Sequence, residues 1–362
     1  MIKLYQMMVK FMININKYLK ERFNYNYTGD KQDFYNQDFI EFEGNGKDAL
    51  FWLIDGNDRY LFKKIDNYEF NIWGELLAME FAKEVGFDCA NYEFAKFEDM
   101  FGFVTKSFVN NNESLINFTE VMQRSINDKC SKKIMDKVTD IESNPKNINN
   151  RDIKVKSGLN NYLDICEIIN SSDKLSREEK ITIKKNLINL LCFDLITMQG
   201  DRHPDNFGLI KNNSNYKFSP IFDNSSSFGL GYPYMEWRCS EYRSDFLNSK
   251  YYTVDELKKY YNFKLAFSYN DNKHVIDCLD SIIAGDNLEI LSTLEKMCDI
   301  LSVDFLENTI ANLEKKLNFK MNDNLKFYII NMYEHNLNYI KMKLNEKDMK
   351  NNYGESKNNR KL

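Results

Sequence analysis

The N-terminal part of the chain alternates between strand-like and helical patterns of apolar and polar positions. Apolar and aromatic residues fill two runs on either side of a Gly-Asn-Asp turn, which predicts a β-hairpin over residues 49–65. Residues 74–86 instead place apolar side chains at helical spacing and end at a glycine. Two further strand patterns follow at residues 87–94 and 102–108. This order predicts a small β-sheet with one helix packed against it.

The second half of the chain is dominated by helical patterns, interrupted by one hairpin. Residues 176–179 read Ser-Arg-Glu-Glu, a capping-box pattern that predicts a helix start. Residues 190–198 are apolar enough for a buried helix, which we expect to end at Gly200. Residues 201–206 are polar and contain a proline, so they predict a loop. Residues 207–222 then read as two short strands joined by a turn.

These patterns divide the chain into five predicted segments. They are an N-terminal helix and linker at 1–37, a sheet unit at 38–109, an insertion or connecting segment at 110–175, a helical unit at 176–344 and a disordered, charged tail at 345–362.

Composition narrows the class of protein without naming a function. Of the 362 residues 43% are hydrophobic, which is ample for a packed core. The net charge of −5 does not favour nucleic acid or an anionic membrane as the main partner. The seven cysteines are scattered and form no C-x-x-C pair, which is typical of reduced thiols in a cytosolic protein. Three dispersed histidines do not suggest a histidine-based metal site.

The first segment mixes apolar residues with lysines. Lys3, Lys10 and Lys17 interrupt it, so we expect neither a transmembrane span nor a signal peptide. We expect an amphipathic helix packed on the body of the protein, with contact to a membrane surface as the alternative.

The polar residues around the second hairpin carry the candidate chemistry. Asp201 begins the loop, Asn206 follows five positions later, and Asp223 stands at the end of the returning strand. Phosphoryl-transfer enzymes need an Asp that accepts the proton of the attacking hydroxyl, with an Asn and a second Asp as ligands of Mg2+. Hard oxygen ligands suit this ion. A solvated turn is the alternative, and the buried helix before the loop and the hairpin after it favour catalysis.

The same stretch resembles a known family. Residues 200–206, GDRHPDN, followed by SPIFDNSSSF at 219–228, are similar to the catalytic and metal-binding segments of the HipA-like Ser/Thr protein kinases. The loop is also similar to that of phosphoinositide kinases. The resemblance implies an α+β, two-lobed protein-kinase-like fold, with a small β-sheet N-lobe carrying one αC-type helix and a larger helical C-lobe. ATP and Mg2+ would lie between the lobes.

Two further residues gain a role from this resemblance. Kinases use a strand lysine to contact the ATP phosphates, and residues 59–65 contain Lys63 and Lys64. Alternation alone does not choose between them, because a shift of one residue exchanges the faces of a strand; the resemblance favours Lys63. Glu75 matches the glutamate that orients this lysine. Its alternative is a helix-start glutamate that stabilises the helix dipole.

Other positions agree less well with the family pattern. Gly44 and Gly46 could cover ATP phosphates with backbone N–H groups, but two glycines are a weak signal and favour an ordinary hairpin. His203 is a weaker candidate for phosphate contact, and Arg202 is expected to shape the loop. Asn224 after the metal-binding aspartate is a departure from the family.

The resemblance implies an ATP- and Mg-dependent kinase that phosphorylates Ser or Thr of a protein substrate and that could phosphorylate itself. It also implies an antitoxin or regulatory partner, no direct nucleic-acid contact and a cytoplasmic location, with secretion as an effector without a signal peptide as an alternative. Phosphoinositide kinase, small-molecule kinase and a pseudokinase scaffold remain as alternatives to be separated by assay.

Overall fold

A computed structural model describes residues 13–42, 50–65, 68–126, 129–136, 159–213, 215–230, 258, 261–271 and 273–358. Gly44 and Gly46, residues 137–158 of the predicted insertion and residues 231–257 lie outside these ranges. The described residues form a mixed α/β fold, which confirms the predicted class at that level.

The N-terminal part is built on a six-stranded sheet with the order β1-β5-β6-β4-β3-β2. Its strands are β1 (Ile13–Asn14), β2 (Ile40–Phe42), β3 (Leu50–Asp55), β4 (Asp58–Lys64), β5 (Tyr92–Phe97) and β6 (Met100–Lys106). Neighbouring strands are antiparallel except β1, which runs parallel to β5. The predicted hairpin is β3 and β4, and Gly56 adopts a φ of 63° in the two-residue turn between them.

The residues before β2 cover one face of this sheet. Helices α1 (Ile15–Phe23) and α2 (Lys31–Tyr35) bury Leu19 and Phe34 against the aromatic side chains of β3, β4 and β5. Phe34 stacks on Phe97 with ring centroids 4.7 Å apart. The predicted N-terminal helix is therefore present over the described residues. The expected polar linker at 24–37 instead contains a short helix, because one buried phenylalanine anchors it.

Helix α3 (Tyr68–Glu84) packs on the opposite face of the sheet and begins six residues before its predicted start at Gly74. Ile72 and Trp73 extend the apolar face into the added turns, and both are fully buried. Gly74 is therefore an interior residue of the helix. A Cβ atom at this position would lie 2.3 Å from the carbonyl oxygen of Ser225, so the absence of a side chain permits close contact with the chain after Asp223.

The remaining described elements are one small sheet and a set of helices. They are β7 (Glu113–Asn117), α4 (Phe118–Ser125), α5 (Tyr162–Ser171), α6 (Arg177–Thr197), β8 (Gly208–Asn212), β9 (Asn215–Phe218), α7 (Val275–Ala284), α8 (Leu288–Ile300), α9 (Val303–Leu317) and α10 (Asp323–Asn358). Strands β7, β8 and β9 form a three-stranded antiparallel sheet in that order. The predicted second hairpin is β8 and β9.

Helix α6 is the buried centre of this part. Its predicted capping box is present: the backbone N–H of Glu179 donates to the Ser176 hydroxyl, and the Ser176 N–H donates to the Glu179 carboxylate. The C-terminal half of the helix is buried from Leu187 onward except at one position. It ends at Thr197, before the predicted end at Gly200, because Met198 caps it with a left-handed φ of 52°. The catalytic-loop candidate therefore follows a rigid, buried helix.

The predicted disordered tail differs from the structure, because α10 continues to Asn358. Asp323 to Leu344 forms its packed part, and the helix continues beyond it although residues 345–358 contain four asparagines and a glycine, which do not favour helix. Lys347 in this extension pairs with Asp286. No helix among the described residues is both long and apolar enough to cross a bilayer.

Candidate active site

Strand β4 and the end of the second hairpin meet at an ion pair. Lys63 Nζ lies 2.7 Å from Asp223 Oδ1, although the two residues are 160 positions apart in sequence. Phe62 and Val104 face the helices α1 and α2, whereas Phe103, the partner of Lys63 across the ladder, faces α3. Alternation along β4 therefore places Lys63 on the α3 side of the sheet, where Asp223 lies.

The loop after α6 brings Asp201 and Asn206 to the same place. Asn206 Nδ2 donates to the Asp201 carbonyl oxygen at 2.8 Å, and the Asn206 N–H donates to the His203 carbonyl at 2.8 Å. Gln199, which is fully buried, accepts a hydrogen bond from the Asp201 N–H at 3.0 Å and donates one to the Asp223 carbonyl at 3.3 Å. One amide side chain thus joins the backbones of both aspartates.

Arg202 is the buried centre of the loop. Its side chain is fully buried and forms a two-pronged ion pair with Asp194 of α6, with the closest contact at 3.1 Å. It also donates to the carbonyl oxygens of Asn206 and Phe222 at 3.2 and 2.6 Å, and to Asn224 Oδ1 at 2.6 Å. Arg202 therefore shapes the loop, as the sequence predicts, and links it to helix α6 and to the strand end at Asp223.

The backbone of Asp223 is held on both sides. Its φ is 56°, a left-handed value that is uncommon for a residue other than glycine. On the N-terminal side, the Phe222 carbonyl accepts from Arg202, and the Asp223 N–H donates to the Tyr92 hydroxyl at 3.1 Å. On the C-terminal side, the Asp223 carbonyl accepts a hydrogen bond from the Gln199 side chain, and the backbone N–H of Asn224 donates to Glu75. All four polar groups of these two peptide units are engaged by side chains.

Glu75 occupies a different position from the expected helix start. It lies in the second turn of α3, with 3% of its surface exposed, so the helix-dipole alternative does not apply. Both of its carboxylate oxygens accept the backbone N–H of Asn224 at 2.9 Å, and Oε1 also accepts Asn224 Nδ2 at 3.3 Å. The helix is thus bound directly to the residue that follows Asp223.

Burial and charge set the protonation of the carboxylates. Burial raises the pKa of Glu75 to about 7, and the charge of Asp223 adds to this rise, whereas the Asn224 N–H and Lys63 oppose it. Burial also acts to raise the pKa of Asp223, but Lys63 outweighs it and the pKa is lowered. Desolvation and the charge of Asp223 raise the pKa of Asp201, against the opposing effect of His203 and Lys63. Asp223 is therefore ionised at neutral pH.

His203 lies on the same loop but faces Asp205. Its Nδ1 atom accepts the Asp205 N–H at 3.3 Å and lies 3.8 Å from the Asp205 carboxylate. About a third of its side chain is exposed. These contacts fix the ring within the loop.

The oxygen atoms at this site fit a hard cation. Asp223 supplies an ionised carboxylate. The Asn206 amide nitrogen is held by the Asp201 carbonyl, which turns the amide oxygen away from that contact and leaves it as the atom that can face a cation. A carboxylate and an amide oxygen are ligands that Mg2+ accepts, with water and phosphate oxygens completing its shell.

Comparison with known proteins agrees with this geometry. The HipA-like C-terminal domain family matches residues 45–283, which is more than half of the chain. The chain belongs to this family. The resemblance predicted from the loop and strand motifs is thereby confirmed. The family match includes Lys63, Glu75 and the whole segment from Asp201 to Asn224. No curated protein sequence matches the chain.

Two solved structures are similar to this HipA-like chain. The proinflammatory kinase CtkA of Helicobacter pylori has a TM-score of 0.58 and 17% identity, with 86% of this chain and 97% of that chain covered. HipA of Shewanella oneidensis MR-1, solved with HipB and operator DNA, has a TM-score of 0.46 and 14% identity, with 87% of this chain and 66% of that chain covered. The first similarity shows a common fold.

Three contributors to the site escaped the sequence analysis. Gln199 reads as the end of an apolar helix, Tyr92 as one aromatic residue of a strand, and Asp194 as an isolated charge in a buried helix. The last carries a usable signal, because a fully buried aspartate requires a partner, and Arg202 eight residues later is the nearest candidate in the chain.

Proposed function

We propose that this HipA-like protein is an ATP- and Mg2+-dependent kinase that transfers the γ-phosphate of ATP to a Ser or Thr hydroxyl of a protein. The observation that carries the proposal is the contact of Lys63 with Asp223, beside a loop that presents Asp201 and Asn206. Family membership supports the reaction class. Protein as the acceptor is proposed from the resemblance to Ser/Thr kinases.

Each residue has a defined role in the proposed reaction. Asp201 accepts the proton of the attacking hydroxyl, and Lys63 releases part of its contact with Asp223 to hold ATP phosphate oxygens. Asn206 and Asp223 would hold Mg2+, which neutralises the charge of the phosphates when it is bound. Glu75, through Asn224, fixes the backbone beside Asp223. Because phosphoryl transfer depends mostly on positioning and charge, a rigid network of this kind is suited to it.

The proposal includes the arrangement of a two-lobed kinase. The six-stranded sheet with α3 would be the N-lobe, the helices around α6 the C-lobe, and ATP would lie where Lys63 faces Asp223. Gly44 and Gly46 would cover the phosphates. Family membership also leads us to propose a regulatory or antitoxin partner and a cytoplasmic location, with self-phosphorylation as one regulatory event.

The test is transfer of labelled phosphate from ATP with Mg2+, with protein, phosphoinositide and small-molecule acceptors offered in parallel. Asp201→Asn and Asp223→Asn should each lower transfer by about 10²-fold or more, since each removes a charged group from the reacting centre. Asp299→Asn on the exposed end of α8 makes the same chemical change away from the site and should retain activity. If only lipid or only a metabolite is labelled, the protein is a kinase with a different class of acceptor. If no acceptor is labelled, the proposal is overturned.

A further inference from the structure

Asn224 lies at the point where three parts of the site meet. It follows Asp223, it contacts Glu75 of α3, and it contacts Arg202 of the loop after α6. Only 1% of its surface is exposed. Asn224 departs from the family pattern, and none of the catalytic or metal-binding roles proposed above involves its side chain. Its contacts therefore suggest a separate role.

The two ends of the Asn224 amide serve opposite partners. Its Oδ1 accepts from the Arg202 guanidinium at 2.6 Å, and its Nδ2 donates to Glu75 Oε1 at 3.3 Å. Its backbone N–H donates to both oxygens of the same carboxylate. A side chain that both donates and accepts is needed here, because a cation lies on one side and a carboxylate on the other. Asn meets this need without adding a charge.

This bridge fixes the peptide unit that leaves Asp223. The conformation at Asp223 is left-handed, and such a conformation persists only where its surroundings hold it. Gln199 holds the Asp223 carbonyl, and Glu75 holds the Asn224 N–H of the same unit. Asn224 in turn aligns the Glu75 carboxylate through its amide.

We propose that Asn224 is a positioning residue that joins Glu75 to Arg202 and so holds the Asp223 carboxylate in place for phosphoryl transfer. This inference rests on the proposed kinase function. In this proposal Glu75 has two roles. Its carboxylate holds the backbone that follows Asp223, and it can also orient Lys63. The three residues then act as one unit, and a change in one can be compensated by a matching change in another.

An exchange of chemical groups across this bond tests the proposal. Asn224→Asp keeps the acceptor for Arg202 but removes the amide donor to Glu75, so that the two facing carboxyl groups either repel each other or must bind a proton. Glu75→Gln removes the opposing carboxylate. The double variant Glu75→Gln with Asn224→Asp moves the amide to one side and the carboxylate to the other, so that the hydrogen bond is formed again with the donor and acceptor reversed.

We expect Asn224→Asp to lower kcat by at least about tenfold and to raise the Mg2+ concentration that gives half-maximal activity, because Asp223 is displaced. The double variant should recover at least about tenfold in kcat relative to Asn224→Asp alone. Asn213→Asp, the same change at an exposed turn residue with a left-handed φ of 52°, should leave both quantities unchanged. A merely structural role would lower the amount of folded enzyme without changing its Mg2+ requirement.

Urea unfolding of the wild type, the two single variants and the double variant supplies a readout that does not depend on activity. A positive coupling between the two substitutions in the unfolding midpoints is expected, and additive midpoints would overturn the bridge even if the wild type is active. An unchanged kcat in Asn224→Asp, or a double variant no better than the product of the single variants, would also overturn the proposal. Failure of the wild type to transfer phosphate overturns the proposed function, while the unfolding cycle still decides whether the bridge exists.

Discussion

At the scale of single residues, the candidate site combines groups that would be unfavourable alone. A non-glycine residue in the left-handed region costs about 1–2 kcal/mol, and a buried carboxylate or guanidinium costs more unless it is paired. Asp223 has the first of these problems; Glu75, Asp194 and Arg202 have the second. Each is resolved by a specific hydrogen bond or ion pair, so the site is stable only as a connected set.

The pKa of Glu75 predicts a pH dependence of stability. It rises from 4.5 to about 7 on folding, so between these values the folded chain binds a proton that the unfolded chain has released. This contribution to stability is present below pH 4.5 and is lost as the pH rises through about 7. Glu75→Gln removes it, so the free energy of unfolding of the variant, relative to wild type, should increase with pH over this window.

The difference in the free energy of unfolding between Glu75→Gln and wild type should rise by up to about 1.4 kcal/mol per pH unit. It should level off above the pKa that Glu75 has in the folded protein. Urea unfolding between about pH 5 and 8 measures it, and subtraction of the wild-type curve cancels the titration of groups that the variant retains, such as Asp194. Glu84→Gln makes the same chemical change on the exposed end of the same helix and is the matched control. A flat difference for Glu75→Gln would contradict the raised pKa.

Sequence reasoning at this scale succeeded where spacing is set by local geometry. The interval from Asp201 to Asn206, and the hairpin that leads to Asp223, are local features, and the structure brings their backbones together. Lys63 needed the alternation of the whole sheet, which a single strand does not reveal. Gln199 depends on a tertiary contact, which no local pattern encodes. The catalytic and metal-binding roles themselves remain predictions.

At the scale of elements, helix α3 is the connection between the sheet and the site. One side of it belongs to the same core as Phe94, Phe101 and Phe103 of the sheet, and Trp73 stacks on Phe319 after α9. At Gly74 the helix touches the chain after Asp223. The sequence predicted a helix start at this glycine, because the apolar residues at helical spacing follow it. Close packing, which sequence does not display, explains its interior position.

Gly74→Ala should therefore destabilise the protein, although alanine favours helices. Its Cβ atom would lie 2.3 Å from a backbone oxygen of Ser225, and neither backbone moves easily. We expect a loss of about 1–3 kcal/mol in the free energy of unfolding, typical of overpacking. In the proposed kinase the displaced chain would also lower kcat, and both effects can be measured on the same preparation.

Glu84→Ala is a suitable control, because this residue is exposed on the last turn of the same helix. Its effect on stability should stay within about 0.5 kcal/mol. If Gly74→Ala were as stable as this control, the contact between α3 and Ser225 would not limit the packing of the helix.

At the scale of the whole molecule, one large hydrophobic core extends from α3 and one face of the sheet into the C-terminal helices. A second, smaller core lies on the other face, under α1 and α2. Lys63 comes from the sheet, whereas Asn206 and Asp223 belong to the helical part. A ligand that contacts all three would connect the two parts at the surface of the large core.

Binding of ATP with Mg2+ should accordingly raise the melting temperature of the wild type by several degrees at saturating concentration. A ligand that binds only the folded state at one hundred times its Kd adds about 2.7 kcal/mol of stability. Asp223→Asn should reduce the shift, because it would weaken the proposed contact with Mg2+ and it changes the partner of Lys63.

Differential scanning fluorimetry measures this shift, with Mg2+ alone as the control for effects of the ion. Asp299→Asn should show the full shift of the wild type. No shift in the wild type with ATP and Mg2+ would count against a nucleotide site between Lys63 and Asp223.

The parallel pairing of β1 with β5 has a consequence for where the folding unit begins. The family match starts at residue 45, after β1, α1, α2 and β2. A fragment cut at that point would remove the partners of Ala95 and Lys96 in β5 and of Phe51 to Leu53 in β3, and would expose the rings of Phe51, Phe62 and Phe97. An unpaired strand edge is a template on which a second chain can add a strand. We therefore expect a fragment that begins at residue 45 to aggregate more readily than the longer chain.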